Sequence, residues 1–168
     1  ADARAGDPYV LNALGLAQVA THDVAAARQS FRAALDVAPA FPDAALNLAR
    51  LSLRDGDPKG ARTVLEEVVT AAPGHVEATL ALAELDASGG DLRGQQRRLR
   101  AAVDAAPTEE RFHLALARSY LENDMAQEAR SLLQSAPERM RQRPDMMRLL
   151  GQSQAGVGDL DAALETFE

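Results

Sequence analysis

The sequence predicts an all-α fold, a solenoid of antiparallel helix pairs that repeats every 34 residues. Three observations predict it. Pro39, Pro73 and Pro107 stand 34 residues apart, each at the end of a short run of the type DVAP, TAAP or DAAP. Apolar residues recur at helical spacing throughout. Short Gly-Asp signals then divide each 34-residue period into two helical stretches.

With each of these prolines at position 32, the chain reads as one array of repeats, 8–41, 42–75, 76–109, 110–143 and a truncated 144–168. Position 7 is then Leu14, Leu48, Leu82, Leu116 and Leu150, and position 8 is Gly15, Ala49, Ala83, Ala117 and Gly151. Position 20 holds Ala27, Ala61, Gln95, Ala129 and Ala163, while position 24 holds Phe31, Leu65, Leu99, Leu133 and Phe167. Small residues at 8 and 20 let two antiparallel helices approach, and the larger side chains fill the space beside them.

The elements follow in order. A first helix over 9–21 ends at His22-Asp23, and a second over 24–37 runs to Pro39. The third, 43–55, stops at Gly56-Asp57, where glycine accepts the left-handed conformation and aspartate caps the next helix. The fourth, 58–71, opens on Pro58, which a first helical turn tolerates. Helices over 76–88 and 92–105 flank Gly90-Asp91, and helices over 109–122 and 126–135 flank Asp124-Met125. Pro137 removes a helical donor, so 136–143 is predicted to be irregular and to alter the stacking of the last repeat. Helices over 145–157 and 160–168, divided by Gly158-Asp159, complete the array. The third repeat is predicted to be the weakest full one. Gln95 replaces a small residue there and Gly94 costs about 1 kcal/mol relative to Ala in a helix, so alanine at both is expected to raise the melting temperature.

The pattern of Leu-Gly/Ala at positions 7 and 8, Ala at 20, Phe/Leu at 24, Ala at 27 and Pro at 32 is similar to the tetratricopeptide repeat (TPR) family over residues 8–168. The family's aromatic slots at positions 4 and 11 are mostly vacant; Leu11, Ala45, Thr79, His113 and Met147 occupy the first. The resemblance implies a right-handed α-α superhelix, with first helices lining a concave groove and second helices forming the convex back. The Ala-rich repeats, and the run RPDMMRLLGQSQAGVGDLDAALETFE, also resemble the long TPR proteins that accompany bacterial exosortase (PEP-CTERM) exopolysaccharide systems. That narrower resemblance implies a periplasmic or cell-envelope setting and a role in exopolysaccharide production or protein sorting. A cytoplasmic setting is equally compatible with the residues.

Composition excludes several classes. At 46% apolar and 26% charged residues the chain is able to bury a core and is not a disordered segment. No apolar run reaches the roughly 18 residues of a membrane span. A formal charge of -7 with 4% aromatics argues against nucleic acid. No cysteine is present, so disulfides and thiolate metal sites are excluded. The start at Ala1 and the stop at Glu168 within a helical pattern are expected of a piece of a longer protein.

Catalytic and metal chemistry find no constellation. His22 falls in a turn, His75 between repeats and His113 at a packing position, with no two within helical reach of each other. Adjacent carboxylates such as Glu66-Glu67 and Glu109-Glu110 point about 100° apart on a helix and form no acid/base pair. No cofactor is expected. The family's carboxylate clamp would use Asn12, Leu16, Asn47, Glu77 and Ala81, of which only Asn47 fits. Gln95-Gln96-Arg97-Arg98-Leu99-Arg100 is the most basic run; a solvated outer face, an acidic partner or a lipid headgroup accounts for it.

The expected function is a non-enzymatic scaffold that binds a protein or peptide, with self-association as a further mode. In this family positions 2, 5, 9, 12 and 13 of each first helix face the groove, which selects Leu46, Arg50, Leu53, Arg54, Leu80, Glu84, Arg111, Leu114, Arg118 and Leu121. Leucines would supply affinity and charges of both signs the register. The same leucines also suit packing between neighbouring first helices.

Overall fold

The structure, a computed structural model, describes residues 6–39 and 41–167. These residues form eleven helices, and no strand occurs among them. They divide at Leu85 into two compact units.

The first unit holds α1 (Pro8–Ala20), α2 (Val24–Val37), α3 (Pro42–Arg54), α4 (Pro58–Ala71) and most of α5 (Val76–Ser88). The second continues from Asp86 through α6 (Leu92–Ala105), α7 (Glu110–Glu122), α8 (Ala126–Ser135), the single turn α9 (Glu138–Arg141), α10 (Pro144–Gly156) and α11 (Leu160–Phe167). Helices α1, α3 and α10 each begin one residue earlier than predicted, on a proline. Proline's fixed φ suits the first helical position, and its missing N–H would be unsatisfied there in any case. Helix α7 starts one residue later, because Glu109 serves as its cap and accepts from the Arg111 backbone N–H. The last predicted position, Glu168, lies outside the described residues.

Each α-α turn is set by position 15. Gly56, Gly90 and Gly158 there have φ of 76°, 81° and 83°, and His22 and Asp124 take the same left-handed conformation at 64° and 58°. Aspartates follow as caps: Asp23 accepts from Ala26 N–H, Asp57 from Gly60 and Asp91 from Gly94. His75 caps α5, its Nδ1 accepting from Ala78 N–H at 3.2 Å.

Two clusters make the core of the first unit. Ala27, Phe31 and Ala34 of α2 pack with Ala44, Leu48 and Leu51 of α3. Ala45, Ala49, Ala61, Leu65 and Val68 pack with Ala78, Leu82 and Leu85 of α5. In the second unit α7 packs on α6 and α8, and α10 packs on α7, α8 and α11. Phe112, Leu116, Leu133, Met146 and Leu149 are fully buried there. At about 25 cal/mol per Å² of apolar surface removed from water, this packing rather than helix propensity stabilises the units.

Pro137 breaks the eighth helix as predicted. Helix α8 ends at Ser135, Ala136 turns extended at ψ 153°, and Pro137 becomes the N-cap of α9. The segment 136–143 is not wholly irregular, however, because Met140 buries its side chain and anchors one helical turn.

One of the two residues behind the predicted weakness of the third repeat has a partner that the prediction did not include. Gln95 accepts a 2.7 Å hydrogen bond from Ser119 Oγ, and Ser119 is 1% exposed. A Cβ at Gly94 would meet only the tip of the capping Asp91 carboxylate, and in the first repeat Asp23 caps over Ala26 at the same position. Gln95 is therefore fitted to its surroundings rather than a defect.

Candidate binding surface

The first helices place the selected side chains beside the core stripe. On α3, Leu46, Arg50 and Leu53 follow one another at i, i+4 and i+7, next to the buried stripe of Ala45, Leu48, Ala49 and Ser52. Leu46 rests one side on the core cluster and is half-buried, and Leu53 is 44% exposed. Arg50 and Arg54 are exposed. On α5, Leu80 is half-buried and Glu84 exposed. These six residues belong to the first unit. Tyr9 and Leu16, on the corresponding positions of α1, are also exposed, and the Tyr9 ring meets Phe41 edge-on at 4.8 Å.

In the second unit α7 supplies Arg111, Leu114, Arg118 and Leu121. Leu114 and Leu121 are half-buried, Arg111 and Arg118 exposed. Arg111 is drawn back to its own helix cap, its Nε donating to Glu109 at 2.9 Å. Arg54 and Arg118 make no ion pair among the described residues.

A polar chain not foreseen from the sequence crosses the first-unit face. Arg50 Nη1 donates to Asn47 Oδ1 at 3.1 Å, and Asn47 Nδ2 donates to Asn12 Oδ1 at 3.0 Å. Asn47, the one residue that matched the carboxylate clamp, thus has its amide engaged by neighbours.

A second feature missed by sequence reasoning lies inside the helix pairs, where position 11 of the first helix meets position 23 of the second. Ser30 Oγ donates to Gln18 at 2.7 Å, Arg98 Nε to Asp86 at 2.8 Å and Thr166 Oγ1 to Gln154 at 2.8 Å. These polar pairs occupy the slot that an aromatic residue fills in the family pattern; the fourth repeat keeps Tyr120 there. The signal was present as matched polar residues 12 apart in three repeats.

No arrangement of catalytic type is built among the described residues. His113 is 3% exposed with Nδ1 3.3 Å from Glu109 O, and every buried side-chain nitrogen and oxygen among the described residues has a hydrogen-bond partner. No group of three or more His, Asp or Glu among those residues is placed to hold a metal ion. No helix among them is long and apolar enough to cross a membrane.

The chain is similar in fold to several solved structures. One is MamA from Desulfovibrio magneticus RS-1, at a TM-score of 0.68, 18% identity and coverage of 95% of this chain and 90% of that one. TTC0263, a thermophilic TPR protein in Thermus thermophilus, matches at 0.59 with 23% identity, covering 95% and 88%. YrrB, described as a TPR protein with an unusual peptide-binding site, matches at 0.64 with 15% identity, covering 96% and 83%. No match was found among curated protein sequences. These likenesses do not support the narrower exosortase resemblance. Tetratricopeptide repeat profiles match residues 12–76, 96–153 and 147–168, which together take in most of the sequence, and the chain belongs to the tetratricopeptide repeat family.

Proposed function

We propose that this chain is a non-enzymatic interaction module that binds an apolar-anchored peptide or partner protein on its first-helix faces. The observation that carries this reading is the state of the leucines. Leu46, Leu80, Leu114 and Leu121 are half-buried and Leu53 is 44% exposed, so apolar surface is left over after each unit has formed its own core. Exposed Arg50, Arg54 and Glu84 stand beside the leucines of the first unit and Arg118 beside those of the second, and would orient a segment bound on either face. TPR proteins typically mediate protein–protein contacts, and YrrB carries a peptide site on the same fold, which supports the reading.

Nothing among the described residues favours an exopolysaccharide or envelope role over this one. Aromatic platforms for sugars are lacking, with no Trp and only Tyr9 and Tyr120 as tyrosines. The test is a pull-down with the wild-type chain and with Leu80→Asp/Leu114→Asp, checked for helicity by circular dichroism. A partner recovered by wild type and lost by the folded variant supports the face. Unchanged capture by the folded variant moves the site elsewhere. Because Leu80 and Leu114 are half-buried and help to pack their helices, the more exposed Leu53 serves as a second probe, as Leu53→Asp.

A further inference from the structure

We propose that the outer face of α6 is a second docking site, independent of the leucine faces, for a short acidic peptide segment. Helix α6 carries four arginines against one aspartate, in a chain whose formal charge is -7. The four are not equivalent. Arg98 is an internal strut, its Nε 2.8 Å from the carboxylate of Asp86, whose side chain is 6% exposed. Arg93, Arg97 and Arg100 lie at i, i+4 and i+7 on another face, a stripe about 10 Å long. Together with Gln96 and Tyr120 they line an open cleft of about 320 Å³.

Their own partners are weak. Arg93 makes no hydrogen bond or ion pair among the described residues. Arg97 is 72% exposed and 3.9 Å from Asp91, itself 61% exposed, an ion pair in high dielectric that contributes little. Arg100 Nη2 only reaches Tyr120 Oη at 3.4 Å. Three guanidinium forks therefore converge on one cleft with most of their donors turned to solvent. Carboxylates are the groups that match such forks two bonds at a time. A helix with acids at i and i+4, or a strand with acids at alternate positions, spaces carboxylates about 6–7 Å apart, close to the rise of about 6 Å between Arg93 and Arg97.

Charge selects the peptide over larger polyanions. A membrane surface or a nucleic acid extends well beyond the stripe and would meet the net negative remainder of the chain within a Debye length of about 10 Å. A short segment confined to the cleft avoids that repulsion.

The experiment is fluorescence anisotropy with fluorescein-labelled octaglutamate and the 168-residue chain at about 50 mM salt, where exposed pairs are least screened. Binding is expected, and Arg93→Gln/Arg97→Gln/Arg100→Gln should weaken it about tenfold while circular dichroism stays helical. Arg50→Gln/Arg54→Gln should leave it unchanged, which separates this site from the leucine faces. Absence of binding by wild type, equal binding by the triple variant, or loss through the Arg50/Arg54 variant would overturn the proposal. So would tighter, arginine-dependent binding to phosphatidylserine vesicles than to the peptide, which would make the face a membrane site.

Discussion

The Phe31 ring lies over Gly15, in the space where a side chain at that position would begin. Phe167 covers Gly151 in the same way. Where position 24 is leucine, as at Leu65, Leu99 and Leu133, position 8 is alanine. Within the first and last helix pairs the two positions exchange volume, the ring at position 24 against the methyl absent from position 8.

Gly15→Ala is therefore expected to destabilise, although alanine is the better helix former by about 1 kcal/mol. Forcing a methyl into a filled contact costs about 1–3 kcal/mol, because Phe31 is fully buried and has nowhere to retreat. Adding Phe31→Leu should recover much of the loss, giving a favourable coupling in a thermal double-mutant cycle. Additive single effects would refute the exchange.

Gly94→Ala/Gln95→Ala should lower the melting temperature, opposite to the expectation from helix propensity. The second change strips Ser119 Oγ of its acceptor, leaving a buried hydroxyl unsatisfied at a cost of about 1–3 kcal/mol, which outweighs the gain of about 1 kcal/mol from alanine at Gly94. Calorimetry on the single and double variants decides it. A rise in melting temperature would show that the Ser119 contact contributes nothing.

The fourth repeat offers a stabilising change. Asp124 holds a left-handed φ of 58° where three other repeats use glycine, and Met125 caps α8 without a side-chain bond where other repeats use aspartate. Asp124→Gly relieves about 1 kcal/mol of backbone strain, and Met125→Asp adds a cap worth about 1 kcal/mol. The weak bond from Gln96 to the Met125 sulfur, at 3.5 Å, is lost in exchange. Urea midpoints should rise for each change and rise further for both. No gain from Met125→Asp would mean that α8 is already capped by other means.

The helices were legible because their signals are local. Proline at position 32, the position-15 turn and the aspartate cap act within a few residues, and the ten long helices appear within a residue or so of prediction. The turn α9 was not legible, since it depends on Met140 finding a buried site among side chains that its own sequence neighbourhood does not reveal. The leucines of the candidate face were placed by register alone, but their exposure depends on how neighbouring helices pack, and half-burial at Leu46, Leu80 and Leu114 follows from that packing. Gln95 was misread for a related reason: its partner Ser119 sits 24 residues away, on the next repeat's first helix.

The ion pair of Asp86 and Arg98 gives the sharpest test of the polar slots. It occupies the place held by Gln18 with Ser30 and by Gln154 with Thr166, but it brings full charges into a site where Asp86 is 6% exposed by side chain and Arg98 is 27%. Removing the arginine takes a charge-assisted hydrogen bond from a carboxylate that is nearly out of water. Arg98→Ala and Asp86→Ala should therefore each destabilise by about 1.5–3 kcal/mol, the worth of a hydrogen bond between charged groups. Replacing both by leucine should come close to wild-type stability, since an apolar pair of similar volume removes both desolvation costs at once. Chemical denaturation of the three variants measures these effects. If Arg98→Ala leaves stability unchanged, the pair contributes nothing, and if the double leucine variant is as unstable as Arg98→Ala, the charges contribute stability that apolar packing cannot replace.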